Sequence, residues 1–92
     1  MANIRGKSFE AVAKDISEGY ITVNPIFLKG LDEESLKGLY QAIQKVQSVI
    51  RGEKFPFNDI EAIRTRNMRL QRLHLALVVI KNFARERKII LV

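Results

Sequence analysis

Hydrophobic residues recur at helical spacing through most of the chain. Residues 8–18 predict a short helix with one apolar face, with Ser8 as its N-cap and Gly19 directly after its end. Residues 31–52 predict a second amphipathic helix, for which Asp32 is the expected N-cap. Its apolar positions are three or four residues apart: Leu36, Leu39, Tyr40, Ile43, Val46 and Ile50.

A longer helix is predicted over residues 58–88. Neither Pro nor Gly occurs from Asn58 onward, and Asn58 with Glu61 has the spacing of a capping box. About 30 helical residues would make a rod on the order of 45 Å long. The aliphatic residues 89–92 form an apolar tail, which we expect to dock on the chain itself or on a neighbouring molecule.

The connection between the two longer helices is short, which predicts that they pack as an antiparallel pair. Residues 1–30 would then form an N-terminal arm, including the short helix, that packs on this hairpin. The expected fold is therefore all-α, with residues 1–92 forming a single helical domain.

One segment leaves room for a small amount of β-structure. Residues 20–23 are rich in β-prone side chains, and Asn24-Pro25 is expected to break any regular element after them. Residues 88–92 are also β-prone. A minor alternative is therefore a β pairing between 20–23 and 88–92 at the edge of the helical fold.

The long helix carries two apolar faces. At 100° per residue, one face spans roughly 160° to 260° and points toward the hairpin partner. The opposite face carries Met68, Leu75 and Val79, with Phe83 at its margin. One partner helix covers only one face, so either the short N-terminal helix or a second copy of the chain must cover the other, and both can contribute. We therefore predict an oligomer interface at these four residues, in a self-associating interaction or adaptor protein.

The positive charge is concentrated in the second half of the chain. The formal net charge is +6. Residues 1–57 hold eight Lys or Arg against seven Asp or Glu, whereas residues 58–92 hold eight against three. Nucleic acid, or another acidic partner, is the alternative expectation, with Arg64, Arg66, Arg69 and Arg72 as the contacting patch. The simpler interpretation of this patch is a solvated rim around an oligomer interface.

Arg66 differs from the other arginines in its predicted position. It lies near 200° on the helical wheel, inside the hairpin face, where a cation is costly unless it reaches water or pairs with an acid. Glu53 lies near the loop end of the hairpin and is the candidate acid there, so we expect an ion pair between the two.

The sequence offers little for catalysis or cofactor binding. Cys is absent, His74 is the only histidine, and the glycines form no phosphate-binding motif. We therefore expect a non-enzymatic protein without a metal or cofactor. The start of the chain has no apolar run typical of a signal peptide, and the longest apolar run, residues 75–80, is far shorter than the ~20 residues of a membrane span. The expected location is the cytoplasm, with no membrane partner.

Overall fold

The computed structural model describes residues 3–4, 6–54 and 57–91. Helices account for most of the described residues, which confirms the predicted all-α fold. The elements of the described residues, in chain order, are β1 (Asn3–Ile4), β2 (Lys7–Ser8), α1 (Phe9–Ser17), α2 (Pro25–Lys29), α3 (Glu33–Gly52) and α4 (Ile60–Glu86).

Helix α1 begins and ends where its sequence predicts. The Ser8 hydroxyl accepts a hydrogen bond from the backbone N–H of Ala11 at 3.2 Å. After the last turn, Gly19 adopts a φ of +84° and its N–H donates to the carbonyl oxygen of Ile16 at 3.1 Å. Glycine is suited to this left-handed conformation because it has no Cβ, and the chain leaves the helix axis there.

The predicted N-cap is confirmed for α3 but wrong for α4. The Asp32 carboxylate accepts from the N–H of Ser35 at 2.7 Å. At the start of α4 the cap is Asp59, whose carboxylate accepts from the N–H of Ala62 at 3.0 Å. Asn58 instead has a φ of +67°, a left-handed conformation that asparagine tolerates better than most residues. Asn58 therefore supplies the left-handed backbone conformation of the turn, and Asp59 supplies the oxygen that caps the helix.

Helix α2 was not expected, because Asn24-Pro25 was interpreted as a break. The Asn24 side chain accepts from the N–H of Phe27 at 2.8 Å, and Pro25 occupies the first turn of the helix. Proline fits at that position because its missing N–H would have no helical partner there. The same dipeptide that ends an extended segment therefore starts a short helix.

The alternative β pairing is wrong. Residues 20–23 and 88–91 form no strand, and position 92 lies outside the described residues. Lys88 has a φ of +58°, and the N–H of Ile89 donates to the carbonyl oxygen of Ala84 at 2.8 Å, so the chain turns back onto its own helix. The ladder that does form is antiparallel and lies at the start of the chain, between β1 and β2.

The three longer helices pack against one another, and α2 adds a contact to α4. Helix α1 lies against both members of the α3–α4 pair, as expected for a hairpin with a short helix packed on it. The fully buried side chains come from all four helices. The largest apolar ones are Val12, Leu28, Leu36, Leu39, Ile43, Ile50, Leu73 and Ile80.

A close approach of α1 to α3 depends on Gly38. The Phe9 ring lies over this glycine, and a Cβ there would come within 2.2 Å of a ring carbon. A glycine within a helix costs about 1 kcal/mol relative to alanine. Gly38 therefore lowers the stability of α3 locally, but it leaves the space that the Phe9 ring occupies.

The apolar tail docks partly on its own chain. Ile89 and Leu91 are half-buried against the core, whereas Ile90 is 72% exposed. The tail therefore covers part of the bundle and also presents one aliphatic side chain to solvent.

Candidate interaction surface on the long helix

One side of α4 is buried in the core. Its buried residues are Leu73, Ala76, Leu77, Ile80, Phe83 and Ala84. They span roughly 100° to 220° on the helical wheel, a face shared between α3 and α1. The opposite side of the helix carries exposed residues.

The structure separates the four residues predicted for an oligomer interface. Met68 is 44% exposed and Leu75 is 54% exposed, while Val79 is half-buried. Phe83 is only 9% exposed and belongs to the core, with the Arg87 guanidinium 4.5 Å from the centre of its ring. Phe83 lies at the edge of the buried face of α4, so only the other three remain on the surface.

The exposed side of α4 carries a straight row of residues that we call the outer seam. Its members are Arg64, Met68, Gln71, Leu75, Val78 and Asn82, and each is exposed. The intervals alternate between four and three residues, which is the spacing that two helices need to pack along one line. Val78 was not among the predicted interface residues, although the repeat from Met68 through Leu75 would have identified it.

A shallow groove extends the outer seam toward α1. Its volume is about 250 Å³, and it lies between α4, the end of α1 and the segment that follows α1. The lining residues are Ile16, Gly19, Ile21, Thr22, Val23, Arg72, Leu75, Ala76 and Val79. Leu75 belongs to both surfaces, so the exposed apolar area continues from the outer seam into the groove.

Arg72 has an internal role in the bundle. Its guanidinium donates a hydrogen bond to the carbonyl oxygen of Ser17 at 3.1 Å. That oxygen lies in the last turn of α1, where the free carbonyl groups of a helix attract a cation. The same guanidinium lies beside Gly19, where a Cβ would be 3.2 Å from its central carbon. Arg72 therefore ties the end of α1 to α4.

The other predicted arginines point in different directions. Arg69 lies 3.8 Å from the Glu53 carboxylate, so the acid that we expected near Arg66 contacts Arg69. Arg66 and Arg69 are half-buried, whereas Arg64 is exposed on the outer seam. On the helical wheel the four side chains lie at roughly 0° (Arg64), 200° (Arg66), 140° (Arg69) and 80° (Arg72). They therefore form no single cationic face.

No family model, curated protein or solved structure matches this chain. The described residues contain no group of three or more His, Cys, Asp or Glu side chains that could hold a metal ion. None of their helices is both long enough and apolar enough to cross a membrane. The function is therefore inferred from the surface of the chain itself.

Proposed function

We propose that this protein is a non-enzymatic, self-associating interaction module in which the outer seam of α4 packs against that of a second copy. The observation that carries the proposal is the exposure of Met68, Leu75 and Val78 on one line of a long helix. Scattered apolar residues on a surface need no partner, but a regular row on a 27-residue helix matches helix pairing.

The order of residues along the outer seam favours an antiparallel arrangement. In that orientation Met68 of one copy faces Val78 of the other, and Leu75 faces Gln71 on either side of the two-fold axis. Arg64 then faces Asn82 of the second copy, whereas a parallel arrangement would place Arg64 against Arg64. Apart from Gln71, the residues between the two ends are apolar and the ends are polar, which is the usual layout of a protein interface.

The interface would be modest in size. From Arg64 to Asn82 the outer seam is about 27 Å long, which is shorter than the full helix. Interfaces smaller than the standard ~800 Å² per partner are usually weak or transient. We therefore expect a dimer with a dissociation constant on the order of micromolar, so that association depends on protein concentration.

The alternative of nucleic-acid binding through the four arginines receives less support. Arg72 and Arg69 have internal partners in Ser17 and Glu53, and a phosphate would have to compete with them. Charge reversal at Arg64 and Arg69 tests the alternative directly, with anisotropy of a labelled DNA duplex at low and high salt as the measurement. Binding that falls steeply with salt and is lost in this variant would favour nucleic acid over self-association.

Light scattering coupled to gel filtration tests the self-association, between about 1 and about 200 µM, which brackets the affinity of a small interface. We expect the mass to rise from monomer to dimer over this range, and Leu75→Glu to remain monomeric. Val49→Glu is the matched control, because Val49 on α3 is 58% exposed and receives the same charge. The proposal would be contradicted if the wild-type protein stayed monomeric at the highest concentration. It would also be contradicted if Leu75→Glu and Val49→Glu weakened dimerisation equally.

A further inference from the structure

A second surface lies on another side of α4, where the chain turns back after the helix. This C-terminal groove has a volume of about 540 Å³. It is lined by Tyr40, Lys81, Ala84, Arg85, Lys88, Ile89, Ile90 and Leu91. It lies outside both the outer seam and the four arginines discussed above.

The charged residues that line the C-terminal groove are all cations. Lys81, Arg85 and Lys88 follow one another at intervals of four and three residues, and no Asp or Glu is among the lining residues. The ion pairs found among the described residues involve other cations: Lys7, Lys37, Lys45 and Arg69. The Arg85 guanidinium donates to the Asn82 side chain at 2.6 Å, a neutral partner that orients it without cancelling its charge.

Folding alone does not account for this row of cations. Like charges four residues apart destabilise a helix, as Lys81 and Arg85 do. The attraction of cations to a helix C-terminus is confined to the last turn, and Lys81 lies five residues before the final helical residue, Glu86. Lys88 has a φ of +58° at a position where glycine is the usual residue. Arg85 lies in the last turn, where the helix C-terminus attracts it, so Lys81 and the left-handed Lys88 are the two cations that helix stability does not account for.

The remaining lining residues indicate which kind of anion fits. Ile90 is 72% exposed beside the cations, and Ala84, Ile89 and Leu91 complete an aliphatic wall. The Tyr40 ring is buried, so the groove offers no exposed aromatic face on which a nucleotide base would stack. Positive charge next to aliphatic surface complements a protein segment that combines carboxylates with aliphatic side chains.

We propose that the C-terminal groove binds an acidic, leucine- or isoleucine-containing segment of a partner protein. Carboxylates of that segment contact Lys81, Arg85 and Lys88, and one of its aliphatic side chains packs against Ile90. None of the groove's lining residues belongs to the outer seam, although Arg85 contacts Asn82 at one end of that seam, so the two surfaces are neighbours on α4. A protein with both surfaces would present two copies of the groove when it dimerises.

Fluorescence anisotropy with three labelled probes tests the site. The probes are a peptide of Glu-Glu-Leu repeats, a peptide of Glu-Glu-Ser repeats with the same charge, and a single-stranded oligo-dT. We expect the leucine-containing peptide to bind at least about tenfold more tightly than the other two, and to weaken as salt is raised. Equal binding of the two peptides, tighter binding of oligo-dT, or no binding would overturn the proposal.

Two variants assign the binding to this groove. Lys81→Glu with Arg85→Glu should weaken binding of the leucine-containing peptide at least about tenfold. The matched control is Lys14→Glu with Lys54→Glu, which makes the same change in net charge at exposed positions outside the groove. Ile90→Ser leaves the charge unchanged and should reduce the leucine-containing peptide to the affinity of the serine-containing one. A double reversal that binds like its control, or an Ile90→Ser variant that binds like wild type, would refute the assignment.

The same samples separate this site from self-association. Leu75→Glu should be monomeric and still bind the peptide, and the reversal at Lys81 and Arg85 should still dimerise. Circular dichroism of each variant establishes that the helices are intact. Loss of peptide binding in a folded Leu75→Glu protein would show that the groove is not an independent site, whereas a monomeric wild-type protein that binds the peptide would contradict only the self-association.

Discussion

Replacing Gly38 with alanine tests how α1 is held against α3. In an ordinary helix position this change is stabilising, because glycine costs about 1 kcal/mol more than alanine. Here the new Cβ would lie 2.2, 2.6 and 2.9 Å from three carbons of the Phe9 ring. Contacts that short cannot persist, so the ring must leave its present position.

The size of the effect follows from two opposing contributions. Burying a whole phenylalanine side chain contributes about 1.5–3 kcal/mol, and most of Phe9 is buried, so displacing it should cost about 2 kcal/mol. The higher helix propensity of alanine stabilises the folded protein by about 1 kcal/mol. We expect Gly38→Ala to destabilise the fold by about 1 kcal/mol, equivalent to about 4–8 °C in melting temperature for a domain of this size.

A double-mutant cycle with Phe9→Ala gives the sharpest form of this prediction. Once the ring is gone, the added Cβ meets open space and only the helix propensity remains. Gly38→Ala should then stabilise by about 1 kcal/mol, so that its sign reverses between the two backgrounds. Urea unfolding followed by circular dichroism, at a concentration below that of self-association, measures all four proteins.

Gly52→Ala is the control within the same helix, because a Cβ at Gly52 meets nothing within 4 Å. It should be neutral or slightly stabilising in either background. The reasoning is refuted if Gly38→Ala stabilises the wild-type protein as it does the Phe9→Ala variant. Such additivity would mean that the ring and the glycine are not in contact.

Two further substitutions test the ends of α1 and α3. Arg72→Met removes the donor to the Ser17 carbonyl oxygen while keeping an unbranched side chain, and should destabilise the protein by about 1–2 kcal/mol in urea unfolding. The hydrogen bonds from the Ser35 side chain and its backbone N–H hold the pKa of Asp32 below its ordinary value. The charged carboxylate therefore adds stability above about pH 4, and this contribution is lost as the pH falls through the lowered pKa. The difference in unfolding free energy between the wild-type protein and Asp32→Asn should be constant from about pH 5 to pH 8 and should shrink below about pH 4. A difference that grows toward acid pH would refute the stabilising role of the Asp32 carboxylate.

The helices with regular apolar spacing could be predicted from the sequence. Ser8, Asp32 and Gly19 mark element ends because each acts through hydrogen bonds or backbone geometry within a few residues of itself. The N-cap of α4 was predicted one residue early, and the predicted range 58–88 extends two residues beyond each end of the helix. Asn58 and Asp59 have similar capping strength, and only the backbone turn decides which one supplies the oxygen.

The candidate surfaces depended on tertiary packing that spacing alone does not determine. The helical wheel correctly separates the core face of α4 from Met68 and Leu75, because both follow from 100° per residue. It does not say how far the elements packed on α4 extend around it, so Phe83 was predicted on the exposed side although it is buried. The internal role of Arg72 depends on Ser17, which is 55 residues away in sequence.

The C-terminal groove could not be predicted from the sequence, because it also depends on tertiary packing. Lys81, Arg85 and Lys88 share a helical spacing that is visible in the sequence and is compatible with an ordinary solvated face. The groove exists only because the chain turns back at Lys88 and lays Ile89 and Leu91 against the bundle. A left-handed lysine is uncommon enough that no local pattern predicts it.

The shortness of α1 has a consequence for the order in which the protein assembles. A nine-residue helix is too short to persist in water by itself, so α1 becomes stable only when α3 and α4 are already present to receive it. The last turn of α1 is also secured from the far half of the chain, by Arg72, so its docking requires distant parts of the sequence to be in place. Because α1 buries Val12, Ala13 and Ile16 between α3 and α4, release of this single helix would expose apolar surface on both of the longer helices.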